Sequence, residues 1–522
     1  MFILFTILFL FALAIALVLL YWIRPGFAYT WLVAAGGALL VWISVFIWQF
    51  RLPLTFQLPR WEPATLFLEA LSFSADTLTW PYAFSIASLA LAVILTAPAR
   101  ANFPDPLPWA AAFVLGGLGL LAVLADNPLS LLVVWAAIDL AELVTQLRSV
   151  EGSQASEKVI NAFATRVAGI GMLLWASMVS ISAGRVMNFQ DAPPQAGLYL
   201  LVAAGLRLGV LPLHLPYASE SAIRRGFGTM LRLVSAASSL ILLARIPSAS
   251  VFSMLTPFLL SLAAVAAVYG GWMWLRFPDD LTARPYWVIG LASLAMASAL
   301  RGNPVGAAAW GCVLVLAGGA LFLSSAYQTW LRRALWIGIW GLSAFPFTLT
   351  ATGWESGAPS FWPVWPFLLV AQALLMAGYF RHANRLAAQP RLDTLDRSAR
   401  TVYPVGIGVL LLAVALLGLW GWRGAFQLGA WLPAVSGVLL SGAAIWLSPR
   451  LAMLAPARAH WVRPSGSSWM DWLFHFLWNL YRLFGRLAHA FSSILEGEGG
   501  IMWALLFLAF FIALLTQRAP LP

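Results

Sequence analysis

Lysine is almost missing from this 522-residue chain: Lys158 is the only one, and arginine supplies the rest of its 30 basic side chains. Cysteine is equally scarce. The single Cys312 rules out a disulfide framework, a structural zinc site and an iron–sulfur cluster, each of which needs several ligands. Charge of either sign is rare, at 9% of residues against roughly 25% in ordinary soluble proteins. Hydrophobic residues make up 62% of the chain and the mean hydropathy is +0.87, which excludes a soluble enzyme. The chain also lacks a P-loop, a zinc-type histidine pair on a helix and a nucleophile elbow, and Gly116, Gly117 and Gly119 sit inside an apolar run, not in a dinucleotide loop.

What is present is a series of apolar runs. Each is long enough for the roughly 20 residues that cross about 30 Å of hydrocarbon. Breaking the chain at proline, glycine and charge predicts an all-α polytopic membrane protein with about sixteen transmembrane helices. The first run, Met1 to Trp22, has no basic residue before it and no small-residue cleavage site after it, so it reads as a membrane helix, not a leader. Arg24 follows it. By the positive-inside rule this places the N-terminus outside an inner (cytoplasmic) membrane. Connections expected in the cytoplasm carry Arg24, Arg100, Arg148, Lys158, Arg224, Arg225, Arg276, Arg284, Arg332, Arg333 and the stretch from Arg381 to Arg400, then Arg450, Arg458 and Arg463. The opposite connections carry only Arg51, Arg60, Arg185, Arg245, Arg301 and Arg423. The net charge of +11 is spread singly and in pairs between apolar runs, which points to a lipid bilayer and not to nucleic acid as the anionic partner.

Ionisable side chains inside spans are costly and are candidates for function. Asp139, Glu142 and Gln146 share one face of the fifth span, a stripe that serves either an ion path or an ion pair tying helices together. The seventh span reads GLRLGVLPLHLP from 205 to 216 and holds Arg207, Pro212 and His214. Pro212 lacks an amide proton, so the helix should kink or break there, either lining a cavity or as an ordinary kink. Pro346 interrupts a second span at Ser343 to Thr348, five helices later. Two interrupted helices in corresponding positions point to inverted repeats, here 106–246 and 251–381, and an odd number of helices inverts the second against the first. Arg166 and Arg232 are further basic residues within spans; arginine can hold a carboxylate but does not readily release a proton.

The remaining segments are N-terminal helices over 1–100, a polar cytoplasmic loop over 382–400 and accessory spans over 401–464. An amphipathic helix is predicted over 467–493, with Trp469, Trp472, Phe476, Leu480 and Leu487 on one face, lying laterally on the membrane or on neighbouring helices. A terminal anchor is expected over 500–517.

Taken in order, Asp126 through Trp135 (DNPLSLLVVW), Arg166-Val167, Arg207 through His214, Leu242 to Arg245 and Phe345-Pro346-Phe347 resemble the antiporter-like membrane subunits of respiratory complex I (NADH-quinone oxidoreductase). The same family includes the large subunits of Mrp antiporters and the membrane subunits of energy-converting hydrogenases. The resemblance covers the central part of the chain and implies inverted five-helix repeats with broken helices 7 and 12. It also implies proton or sodium movement along a mid-membrane polar chain, no cofactor, and other membrane subunits as partners, with redox chemistry left to those partners. In that light Asp139, Glu142, Arg207, His214 and Arg232 form the expected path, Arg166 a structural charge, and Pro212 and Pro346 the breaks. The sequence departs from the family at Ala136, where a glutamate is expected, at Arg207 in place of lysine, at Gly169 in place of aspartate, and at Gly318 and Gly353 where lysines are expected. These losses leave two alternatives: a non-conducting scaffold subunit of such a complex, or a stand-alone ion transporter.

Overall fold

The computed structural model describes residues 2–27, 29–59, 70–100, 106–149, 153–184, 188–189, 192–217, 225–246, 255–355, 362–385, 391–420 and 431–454. The predicted lateral helix 467–493 and anchor 500–517 lie outside the described residues. The chain divides into two units, Met1–Pro449 and Arg450–Pro522.

Sixteen helices are described: α1 (Phe2–Ile23), α2 (Thr30–Trp48), α3 (Thr79–Leu95), α4 (Pro106–Leu124), α5 (Pro128–Ser149), α6 (Ser153–Ser182), α7 (Pro194–Leu208), α8 (Arg225–Arg245), α9 (Thr256–Arg276), α10 (Arg284–Leu300), α11 (Pro304–Leu323), α12 (Thr329–Ala334), α13 (Trp336–Leu342), α14 (Trp365–Ala383), α15 (Arg397–Trp420) and α16 (Trp431–Leu454). All of them belong to the first unit except the end of α16. Among the described residues, nine are long and apolar enough to cross a membrane, and α3 and the first part of α16 are shorter apolar helices. The chain is an integral, polytopic helical membrane protein. The span that Pro346 interrupts is not one helix: α12 and α13 are short, and residues 343–350 form turns.

One small sheet departs from the all-helical expectation. Strands β1 (Leu54–Gln57) and β2 (Ser72–Ala75) pair antiparallel, with Thr55 opposite Ser74. The Asp76 carboxylate after β2 accepts the amides of Leu78 and Thr79 at 2.8 and 2.9 Å, satisfying donors at the start of α3 that would otherwise be orphaned.

Lipid tails are as apolar as leucine, so helices in a bilayer associate through close packing of small residues. Gly270 of α9 lies against the backbone of Gly290 in α10, where a Cβ would come within 2.6 Å of the Gly290 nitrogen. On the adjoining face, a Cβ on Gly271 would sit 3.0 Å from the Ala371 carbonyl of α14. Trp48, Trp135, Trp274, Trp287 and Trp310 are fully buried, so these tryptophans are core, not interfacial anchors.

The arginine-rich connections meet at one end of the bundle. Arg225 pairs with Asp280 between α9 and α10, Arg385 after α14 pairs with Asp279, and the Arg100 guanidinium lies against Gly226. Arg245 and Arg301, assigned to the opposite connections, lie at the other ends of α8 and α10.

Candidate functional site

Asp139 and Glu142 sit one turn apart on α5, and both are buried. Neither is left bare, as the cost of an unpaired charge in hydrocarbon requires. Arg207, in the last turn of α7, reaches Asp139 with a fork: Nη1 donates to Oδ2 at 2.5 Å and Nη2 to Oδ1 at 2.8 Å. Its Nε donates to Ser239 Oγ of α8 at 3.1 Å, and the guanidinium lies 4.1 Å from the centre of the Trp135 ring.

Glu142 is held by more partners. Arg166 of α6 engages both its oxygens, one through Nη2 at 2.7 Å and the other through Nη1. Arg232 of α8 donates to Oε1, and Gln146 donates to the same oxygen at 2.5 Å. Arg166 Nη1 also stands 3.8 Å from Asp139 Oδ1, so this one guanidinium faces both carboxylates. The cluster therefore joins α5, α6, α7 and α8 through three arginines and two acids.

The first interruption brings α7 to an end beside this cluster. The helix stops at Leu208, where Gly209 takes φ +73° and caps it, so the break begins three residues ahead of Pro212. A side chain at Gly209 would be strained in that conformation and would meet the His214 carbonyl. The turn after Gly209 delivers the Pro216 carbonyl to Arg166 Nη2 at 3.3 Å and the Tyr217 ring to within 4.0 Å of Arg232. His214 is half-buried and its Nδ1 lies 2.8 Å from the Pro212 carbonyl within the same turn. No hydrogen bond ties it to the carboxylates among the described residues, so of the five residues expected on the path four converge and His214 stands apart.

The second interruption, around Pro346, is satisfied without charge. Thr350 Oγ1 donates to Gly341 O at 2.7 Å and accepts the Ala344 amide at 3.1 Å. Gln372 of α14 donates to Leu342 O at 2.8 Å and accepts Trp354 Nε1 at 2.9 Å. Where the family resemblance expects lysines, indoles fill the space: a Cβ on Gly318 would lie 2.5 Å from Trp287 Nε1, and one on Gly353 would lie 2.6 Å from Trp310 Nε1. Gly169 follows the same logic, since its Cβ would meet Arg207 Cγ at 2.7 Å.

Sequence reasoning missed three buried arginines because they sit at helix ends, where they look like loop charges. Arg284 donates to Thr229 Oγ1 at 3.1 Å, Arg301 to the Gly353 carbonyl at 2.9 Å, and Arg245 to Ser74 O at 3.1 Å and Asp126 Oδ1 at 3.0 Å. A signal did exist for Arg245: an aspartate, Asp126, opens the fifth apolar run at the same end of the bundle.

No protein-family model matches the chain, and no curated protein matches it. Solved structures do. A chain of the Mrp complex from Dietzia sp. DQ12-45-1b superposes with a TM-score of 0.68 at 15% identity, over 100% of this chain and 63% of that one. A chain of the membrane-bound sulfane sulfur reductase, an archaeal respiratory membrane complex, superposes with a TM-score of 0.62 at 15% identity, over 98% of this chain and 99% of that one. The fold is theirs. This chain spans less than two thirds of the Mrp chain's length and nearly all of the reductase chain's.

Proposed function

We propose that the chain is an antiporter-like membrane subunit of a multi-subunit complex of the complex I, Mrp or hydrogenase type, taking part in proton or sodium movement through its first half. The observation that carries this is the pair Asp139–Arg207 together with Glu142–Arg166–Arg232, a buried charge cluster set against a broken helix. Fold likeness to chains of two such complexes supports the placement. So does the position of the breaks. Each falls in the fourth span of its unit, α7 in 106–246 and α12–α13 in 251–381, as two inverted five-helix repeats within about sixteen spans would have it. The arginine-rich end is then cytoplasmic and the N-terminus outside. Other membrane subunits, the lipid bilayer and the transported ion are the partners.

The chain's own residues supply a gate. Every carboxylate oxygen is already held by a guanidinium, so a proton or sodium ion reaches a carboxylate only when an arginine swings away from it. Arg166 stands where that movement would be steered, because it already faces both acids. Arginine keeps its own proton throughout. His214, at the break but not bonded to the cluster, is the remaining member of the path. The test is ion uptake by proteoliposomes holding the purified complex, with the wild type compared with Asp139→Asn/Arg207→Gln, a double variant that keeps hydrogen-bonding groups but removes both charges. Uptake is expected to fall by at least about tenfold, about 1.4 kcal/mol in the barrier, with the complex still assembled. Unchanged uptake would sink the gate.

The second half favours an alternative, a non-conducting scaffold. Trp287 and Trp310 occupy the space of the missing lysines, and the second break is closed by Thr350 and Gln372. Ion uptake separates the two readings, and mass spectrometry of what co-purifies with the tagged chain tests the assembly they share. Redox-enzyme subunits place it in an electron-driven assembly, and recovery alone removes that link.

A further inference from the structure

A second polar site lies at the arginine-rich end, away from the charge cluster on α5. Helix ends from α8, α11, α12 and α14 and the connection between α9 and α10 line a cavity of about 340 Å³. Its ionisable lining comprises Arg225, Arg332, Arg385, Asp279, Asp280 and His382. The acids are already occupied. Asp280 accepts Arg225 through both oxygens at 2.7 and 3.1 Å, while Asp279 accepts Arg385 at 3.2 Å and the Thr282 amide at 3.1 Å. Arg332 has no acid. Its Nε is shielded from solvent without a hydrogen-bond partner among the described residues, and so is Ser325 Oγ on the same wall. Among the described residues three arginines against two carboxylates leave the cavity positive, with idle donors on one side of it. Buried donors without acceptors are costly, so an acceptor-rich anion is the complement this wall lacks.

The surroundings choose among anions. Trp330 and Trp336, on α12 and α13 next to this wall, are 50% and 44% exposed, and exposed indoles at a bundle end mark headgroup depth in a bilayer. Leu331 and Leu335 continue the lining toward them. A free anion uses the charged wall only; an amphiphile uses both. Basic pockets between membrane helices at a cytoplasmic face suit anionic headgroups on general electrostatic grounds. We propose that this cavity holds the phosphate headgroup of an anionic phospholipid, with Arg332 and Ser325 as donors and the acyl chains running out past Trp330 and Trp336.

The site stands independently of ion movement. The test uses the full-length chain, stripped of lipid in mild detergent and titrated with phosphatidylglycerol, phosphatidylcholine or inorganic phosphate, with bound lipid counted by native mass spectrometry. Phosphatidylglycerol is expected to bind about tenfold more tightly than phosphatidylcholine. Arg332→Gln is expected to abolish that preference while the melting temperature of the lipid-free chain is unchanged. Ser325→Ala, which keeps every charge, is expected to weaken phosphatidylglycerol by about threefold to tenfold. Equal affinity for the two lipids, or a preference that survives in both variants, overturns the site. Inorganic phosphate that displaces phosphatidylglycerol at equal concentration overturns the lipid as occupant and assigns the wall to a free anion.

Discussion

Arg207 and Asp139, 68 residues apart in sequence, meet as a two-bond fork in which both carboxylate oxygens and both terminal guanidinium nitrogens are used. The pair fastens the end of a broken helix to the middle of α5. A buried fork of this kind adds little net stability over apolar residues of the same shape, but removing one member strands the other. Arg207→Ala should therefore destabilise the chain by about 3–5 kcal/mol, whereas Arg207→Met/Asp139→Leu should cost far less. Unfolding of the purified chain in detergent measures the difference, and equal losses in the two variants would show that the pair is not coupled.

Trp287 fills the volume opposite Gly318, with its Nε1 donating to Leu314 O at 3.1 Å. Gly318→Ala forces a methyl against a fully buried indole, and overpacking of this kind costs about 1–3 kcal/mol. Adding Trp287→Phe should restore part of the loss by removing the atom that clashes. Melting temperatures of the two variants settle whether the indole or the helix backbone sets the limit.

Arg245 ties the end of α8 to the turn before α5 and to the small sheet. It donates to Ala125 O, to Asp126 at 3.0 Å, and to Ser74 through its carbonyl and its hydroxyl at 3.1 and 3.2 Å. Arg245→Ala leaves buried acceptors unmatched at about 1–3 kcal/mol each. The β1–β2 hairpin is expected to become protease-sensitive before the helices do. Lysine at 245 can satisfy fewer of these acceptors and should rescue only in part.

Between α9 and α10, burial pushes the Asp279 carboxyl up, yet the Thr282 amide and the Arg225 and Arg385 guanidinium groups outweigh it and hold it below its ordinary value of 3.8. A carboxyl lowered in the folded state stabilises above its unfolded value, and that contribution is lost as pH falls through the folded value. The Arg385–Asp279 contact should therefore hold from neutral pH down to about pH 4 and loosen below it. Hydrogen exchange at Thr282, corrected for the intrinsic rate, should show this loss in the wild type and no such step in Asp279→Asn.

Much of this protein is written in one dimension. Hydrophobic length and the absence of charge fix the membrane class, because a run of apolar residues satisfies its own backbone as a helix in lipid whatever its neighbours do. The breaks were legible too, since Pro212 and Pro346 remove helix donors locally. Their extent was not: Gly209 ends α7 ahead of Pro212, and α12–α13 end as two short helices where one span was expected. The strands β1 and β2 were missed because each is only four residues long and too short for an alternating pattern to register.

The site divides in the same way. Asp139, Glu142, Arg166, Arg207 and Arg232 could be picked out singly, since each is an ionisable group in an apolar run. Their partners could not be read off, because pairing depends on which faces α5, α6, α7 and α8 turn to one another. The same holds for Gly318 and Gly353, which in sequence are only missing side chains; their meaning comes from Trp287 and Trp310 packed into the space. Sequence determined that this chain lives in a bilayer, where its helices break and which scarce charges it carries inside. Only the tertiary structure decided that those charges pair with one another in the first half while tryptophan closes the second, since contacts between distant segments are set by packing and not by local propensity.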